Sequence, residues 1–90
     1  MYQLVLTNQF KKDIKRLQKR AYDMAIIKQA IIDLENNGQL QPALKPHRLS
    51  GNYIGYWEAH LKNDWLLIWK VIEEENEVWL TRTGTHSDLF

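Results

Sequence analysis

The hydrophobic period of this chain changes once, and that change constrains the fold more than any other feature. Before Gly38 the apolar residues recur at helical spacing; after Gly55 they recur at every second position. A chain with one helical block and one alternating block folds as α+β, with its helices gathered on one face of a sheet.

The elements follow from local signals. Tyr2 to Leu6 is short and β-favouring and reads as a first strand. Thr7 or Asn8 is placed to cap a helix. Phe10, Ile14, Leu17 and Ala21 then recur at i, i+4, i+7 and i+11, an apolar stripe with Lys11, Lys12, Lys15, Arg16, Lys19 and Arg20 opposite it. Asp23 is placed to cap a second helix carrying Met24, Ile27, Ile31 and Leu34. Asn36-Asn37-Gly38 stops that helix, because Asn and Gly tolerate the left-handed conformation. Residues 39–54, with Pro42, Pro46, Ser50, Gly51 and Asn52, read as a long loop containing His47; loops of that length often carry function.

Past Gly55, the residues Trp57, Ala59 and Leu61 share one strand face, and Tyr56, Glu58 and His60 share the other. Lys62-Asn63-Asp64 is a turn. Trp65 to Ile72 is nearly continuous in apolar residues, as a central strand covered on both faces would be. Glu73-Glu74-Glu75-Asn76 forms a solvated turn, Glu77 to Thr83 a last strand ending near Arg82, and Gly84 releases the chain into a tail. The order β-α-α-β-β-β predicts a single domain over residues 1–90. A twisted, largely antiparallel sheet carries the helical hairpin on one face.

Composition narrows the chemistry. There is no cysteine, so neither disulfide nor thiolate is available. No apolar run reaches the ~20 residues of a membrane span, and the N-terminus lacks the basic segment of a secretion signal, which together imply the cytoplasm. Residues 1–50 carry nine Lys/Arg against four Asp/Glu (+5), and residues 51–90 carry three against seven (−4). The basic cluster suits a nucleic-acid backbone or, equally, a solvated helix face.

The tail Arg82-Thr83-Gly84-Thr85-His86-Ser87-Asp88-Leu89-Phe90 places a fixed cation, an imidazole and a terminal aromatic ring together. Imidazole exchanges a proton near neutral pH. Guanidinium suits a phosphate, and Phe stacks on bases. RNA brings its own nucleophile, the 2′-hydroxyl, so its cleavage needs a base, an acid and a cation for the phosphorane. His47, His60 and His86 supply acid and base candidates, with Glu58 an alternative base on the face of His60. Asp64 is placed to orient an imidazole. Each has a plainer reading: Arg82 pairs with an acid, the four Trp fill the core, and Phe90 tucks the tail onto the sheet. The spacing 47–60–86 matches no compact zinc signature, so no metal and no other cofactor is expected.

Four blocks in order resemble the YafQ-type toxins of the RelE/ParE superfamily. They are Lys45-Pro46-His47-Arg48-Leu49-Ser50-Gly51, Gly55-Tyr56-Trp57-Glu58-Ala59-His60-Leu61, Asp64-Trp65-Leu66-Leu67-Ile68 and Arg82 to Phe90. The resemblance implies the same sheet with two N-terminal helices, and the toxic half of a bacterial toxin–antitoxin pair that cleaves messenger RNA in the translating ribosome. It implies His86 as proton donor, His60 and His47 as base or phosphate contacts, Asp64 as tuner of a histidine and Arg82 as phosphate ligand. Phe90 and Trp65 would contact substrate, with Lys12, Lys15 and Lys19 on the docking surface. The implied partners are a cognate antitoxin, the ribosome and messenger RNA, with no membrane; the toxin alone would be monomeric. The family has Asp-His-Pro-Leu where this chain has Pro46-His47-Arg48-Leu49, which re-aims His47. It has Arg at the position of Trp57, which strand alternation turns away from His60. The alternatives are a non-catalytic binding member of the fold and a gyrase-directed ParE-like toxin, whose relatives lack this histidine set.

Overall fold

The computed structural model describes residues 1–90. Its elements are β1 (Gln3–Leu6), α1 (Asn8–Lys19), α2 (Met24–Asn37), β2 (His47–Arg48), β3 (Trp57–Lys62), β4 (Trp65–Ile72), β5 (Glu77–Gly84) and α3 (His86–Leu89). The five strands form one sheet in the order β1-β5-β4-β3-β2. All neighbours are antiparallel except β1 and β5, which are parallel.

The helix boundaries have local causes. The Thr7 side chain accepts from the Phe10 N–H at 3.0 Å and opens α1. Asp23 does the same for α2 through the Ala25 N–H. Gly38, at φ +69°, closes α2, and the ring of Tyr2 lies where any Cβ would stand. The end of α1 differs from the sequence expectation. Tyr22 N–H bonds to Leu17 C=O and Ala21 N–H to Gln18 C=O, a Schellman arrangement with Ala21 at φ +61°. Ala21 is therefore an exposed cap, and the stripe stops at Leu17.

Both long helices cover one face of the sheet. Phe10, Leu17, Ile27 and Leu34 are buried there against Leu67, Trp69, Val78 and Leu80. Trp57 stacks on Trp69 on this side, ring centroids 6.3 Å apart. Each such side chain contributes about 1.5–3 kcal/mol on burial. The outer face has only a small cluster, Leu66, Ile68 and Leu89, with Leu49, Tyr53 and Tyr56 against it. Strand alternation divides β4 between the two clusters, which explains its unbroken apolar run.

Two irregularities at the far edge of the sheet position Arg82. β1 ends at Leu6, so the C-terminal half of β5 has no strand on the side away from β4. The start of α1 takes that place: Thr7 N–H donates to Leu80 C=O, Thr7 Oγ1 to Thr81 C=O, and Asp13 Oδ2 accepts from Thr83 N–H at 3.1 Å. Second, the register pairs Ile68 with Arg82 but Trp69 with Leu80, so Thr81 is a bulge. Leu80 faces the helices; without the extra residue Arg82 would do the same. The bulge turns it to the outer face.

The loop expected over 39–54 contains β2 and 3₁₀ turns at Pro42–Leu44 and Gly51–Tyr53. The tail closes as α3.

Candidate active site

The histidines come together on the outer face because the strand registers place them there. His47 on β2 lies opposite Glu58 on β3, Glu58 opposite Ile68 on β4, and Ile68 opposite Arg82 on β5. These four form one row across the sheet. The next row is His60, Leu66 and Gly84. Gly84 lets the chain turn back: its φ is +152°, and a Cβ there would meet the Asp88 carboxylate at 2.9 Å. α3 then sets His86 beside His60. Ring centroids run His47 to His60 at 6.3 Å, His60 to His86 at 6.2 Å, His86 to Phe90 at 6.3 Å and Phe90 to Tyr53 at 5.8 Å.

His86 is held by Asp64. Asp64 Oδ1 accepts from His86 Nδ1 in a short contact and from the His86 backbone N–H at 3.1 Å. The hydrogen bond from the His86 ring, then that from its backbone, draws the Asp64 pKa below the usual carboxylate value. Donation at Nδ1 leaves Nε2 as the nitrogen available to another group. Both side chains remain more than half exposed.

His47 is anchored at both nitrogens. Nδ1 lies 3.0 Å from Lys45 C=O, which can only accept, so Nδ1 carries a proton. Nε2 lies 3.2 Å from Glu58 Oε1. Arg48, in place of the family's proline, stacks over Trp57 at 5.2 Å, and β2 pairing sets the direction of His47. His60 is the ring between the two anchored ones.

Arg82 reaches over the sheet edge to Asp13, which is fully buried. Nε donates to Oδ2 at 2.8 Å and Nη2 to Oδ1 at 3.3 Å. Nη2 also donates to Asp88 C=O at 3.4 Å. Asp13 raises the Arg82 pKa further, chiefly through its hydrogen bond. The bonds to Asp13 and Asp88 use Nε and Nη2 and leave Nη1 out, with the Tyr53 side chain close to the guanidinium.

α3 is one turn and is held from three sides. Thr85 and Asp88 form a capping box, Leu89 is buried, and Arg20 grips Asp88 through two bonds of 2.8 and 3.0 Å. Arg16 adds a second cation at 3.5 Å. The Arg20 hydrogen bond holds the Asp88 carboxyl well below the usual range.

The sequence-derived candidates therefore divide. His47, His60, His86, Asp64, Arg82 and Phe90 share one face, with Phe90 63% exposed. Trp65 does not join them. It is 3% exposed, edge-on to Tyr22, and its indole N–H donates to Thr83 Oγ1 at 2.9 Å. Its strand position faces the helices, so the expected substrate contact is corrected to a core role. Lys12, Lys15 and Lys19 are exposed on α1 and make no ion pair, whereas Arg16 and Arg20 of the same cluster turn inward to Asp88. Asp13, Arg20 and Asp88 were not foreseen. Thr85-x-x-Asp88 carried a capping-box signal. Asp13 stood within the apolar arc of α1, where a carboxylate needs a partner. No three His, Asp or Glu side chains converge as a metal-ligand set.

Comparison with known proteins matches residues 2–90 to the model of the bacterial toxin of type II toxin–antitoxin system, YafQ. The mRNA interferase toxin YafQ of Escherichia coli K12 is 41% identical over 85 residues, covering 93% of this chain and 90% of the relative. Among solved structures, the E. coli DinJ–YafQ complex gives a TM-score of 0.89 at 37% identity, covering 100% of this chain and 99% of that one. A metal-bound toxin from Helicobacter pylori gives 0.90 at 34% identity, with both chains covered completely.

Proposed function

The chain belongs to the YafQ family of bacterial type II toxin–antitoxin toxins, and from that premise we propose that it is a ribosome-dependent messenger-RNA endonuclease acting by acid–base chemistry. The observation that carries this reading is His86. It stands at the start of α3, with Asp64 on Nδ1 and His60 beside it.

His60, or His47 once its Nε2 leaves Glu58, takes the proton of the 2′-hydroxyl. The 2′-oxygen attacks phosphorus, and the bond to the 5′-oxygen breaks. His86 Nε2 gives its proton to that departing oxygen. The products are a 2′,3′-cyclic phosphate and a free 5′-hydroxyl. Arg82 Nη1 meets the charge that develops on the phosphorane. Asp64 fixes the His86 ring, so the donor is oriented before substrate arrives. Phe90, beside Tyr53, offers a face to a base. The exposed lysines of α1 meet either ribosomal RNA or an acidic segment of the cognate antitoxin. The site of action is the cytoplasm; no helix is long and apolar enough to cross a membrane.

A purified translation system tests the reading. Message is cut only when ribosomes are present, and the fragments end in cyclic phosphate and 5′-hydroxyl. Cleavage of naked message at the same rate, or fragments ending in 5′-phosphate, contradicts it. The rate persists when transition metals are chelated and ribosomal magnesium is maintained. Stoichiometric bound metal, with activity lost on its removal, would replace the acid–base scheme with a metal-assisted one.

A further inference from the structure

Lys70 is the one charged residue within the apolar run of β4, a central strand. A charge in such a strand is costly unless it faces water or a partner. Lys70 is half-buried on the outer face, and no carboxylate lies within ion-pairing distance of it. Its ammonium instead sits over the ring of Tyr56 at 5.2 Å. Directly opposite it on β5 is Trp79, 40% exposed, whose indole N–H is tied to Glu77 at 3.1 Å. Tyr56, Lys70 and Trp79 thus make a third row across the outer face.

The spacing of the rows gives this one a meaning. His60 lies in the first, Arg82 in the second and Lys70 in the third. Same-face residues on a strand are two positions apart, about 7 Å, close to one step of an extended nucleotide chain. The phosphate cation of the proposed site is therefore followed, one step along the sheet, by a second cation, which has no carboxylate partner, lies over the Tyr56 ring and has Trp79 opposite it on β5. Beyond it Glu77, opposite Ile72, and the turn Glu73–Glu75 turn the surface acidic, so an RNA path ends at this row.

We propose that Tyr56, Lys70 and Trp79 form a binding subsite for the nucleotide next to the scissile phosphate, with Lys70 on its phosphate and Trp79 against its base. The proposal rests on the RNA-cleaving reading above. It assigns these residues to binding and leaves proton transfer to the histidines.

The test uses the full chain and ribosomes programmed with a message whose scissile nucleotide is 2′-deoxy, which binds without being cut. Lys70→Gln raises the dissociation constant about tenfold, as loss of one charged hydrogen bond does, and lowers the salt slope by about one. Neutralising only the neighbouring phosphate, as a methylphosphonate, weakens wild type by the same factor and leaves Lys70→Gln unaffected. Lys70→Arg restores wild-type affinity. Trp79→Leu, measured separately, weakens binding with no change in salt slope. Unaltered thermal melting of each variant separates these effects from misfolding. Equal affinity and salt slope for Lys70→Gln and wild type overturn the proposal. So does a loss confined to antitoxin affinity, which assigns the row to that partner. His86→Ala in the same assay keeps affinity and loses cleavage of the all-ribose message. If it cleaves like wild type, the acid–base reading has failed, while the binding measurement still decides the subsite.

Discussion

The two faces of the sheet are built from the same strands and held in opposite ways. The helix-covered face is an apolar cluster of thirteen buried residues, in which position follows from packing. The outer face has a cluster of three, and its candidate site groups are held by polar pairs: Asp64 on His86, Glu58 on His47, Asp13 on Arg82 and Arg20 on Asp88. Packing tolerates no water, whereas a proton donor must remain accessible. Polar anchors fix direction; at His86 the anchor takes Nδ1 and leaves Nε2 open, whereas at His47 both nitrogens face acceptors. Substitutions on the two faces therefore separate stability from activity, except where a pair crosses from one face to the other.

The largest expected effect is on the outer face. His86→Ala lowers message cleavage about 10²–10⁴-fold, the usual contribution of a general acid, and relieves growth arrest in an inducing host. Thermal melting stays within a degree or two of wild type. A folded variant of undiminished toxicity would break the assignment of chemistry to this face.

Asp13→Asn tests the crossing point. Asp13 is buried, and its carboxylate serves both Arg82 and the Thr83 N–H. The amide leaves a guanidinium uncompensated, costing about 2–4 kcal/mol in denaturant unfolding. Activity falls as well, because Arg82 loses its anchor. A variant that loses stability and keeps full activity would separate the phosphate-binding role from Arg82.

A smaller effect is expected at Arg20. Asp88 has a depressed pKa in the folded chain, so its contribution is present above the ordinary carboxylate pKa of about 3.9 and is lost as pH falls through the lower folded value. Arg20→Gln returns the Asp88 titration, followed by NMR, toward the ordinary value. It also slows cleavage several-fold at neutral pH through a looser α3. Unchanged Asp88 titration would show that Thr85 and Arg16 hold the carboxylate without Arg20.

The smallest structural effect belongs to α1. Replacing Lys12, Lys15 and Lys19 with Gln leaves folding unchanged, since all three are exposed and unpaired. Ribosome affinity falls and its salt dependence flattens; antitoxin affinity is measured in parallel. Ribosome binding as tight as wild type at every salt concentration would make the lysines a solvated face.

The sequence conveyed the elements whose signals are periodic or terminal: both long helices, their N-caps, the Gly38 stop and the three long β-strands. It was silent where structure is set by a distant partner. β2 is two residues long and exists because β3 lies beside it; α3 is too short to show a helical stripe. The parallel placement of β1 beside β5, the strand order and the Thr81 bulge are tertiary choices, and they bring Arg82 to the histidine face. The candidate residues that share the outer face carry signals in the chemistry of the tail and in the family resemblance. Trp65 belongs to a motif block, but its place in the strand alternation turns it to the helices and buries it. Asp13 is buried by partners about 70 residues away, Arg82 and Thr83, which the spacing of α1 does not signal.

The central claim is that His86 protonates the departing 5′-oxygen. A message in which that single bridging oxygen is replaced by sulfur tests it most directly, because a thiolate leaves without a proton. His86→Ala is predicted to cleave the sulfur-bridged message at nearly the wild-type rate on programmed ribosomes while remaining about 10²–10⁴-fold slow on the oxygen message. Equal slowing on both messages would contradict the account and remove His86 from the role of acid.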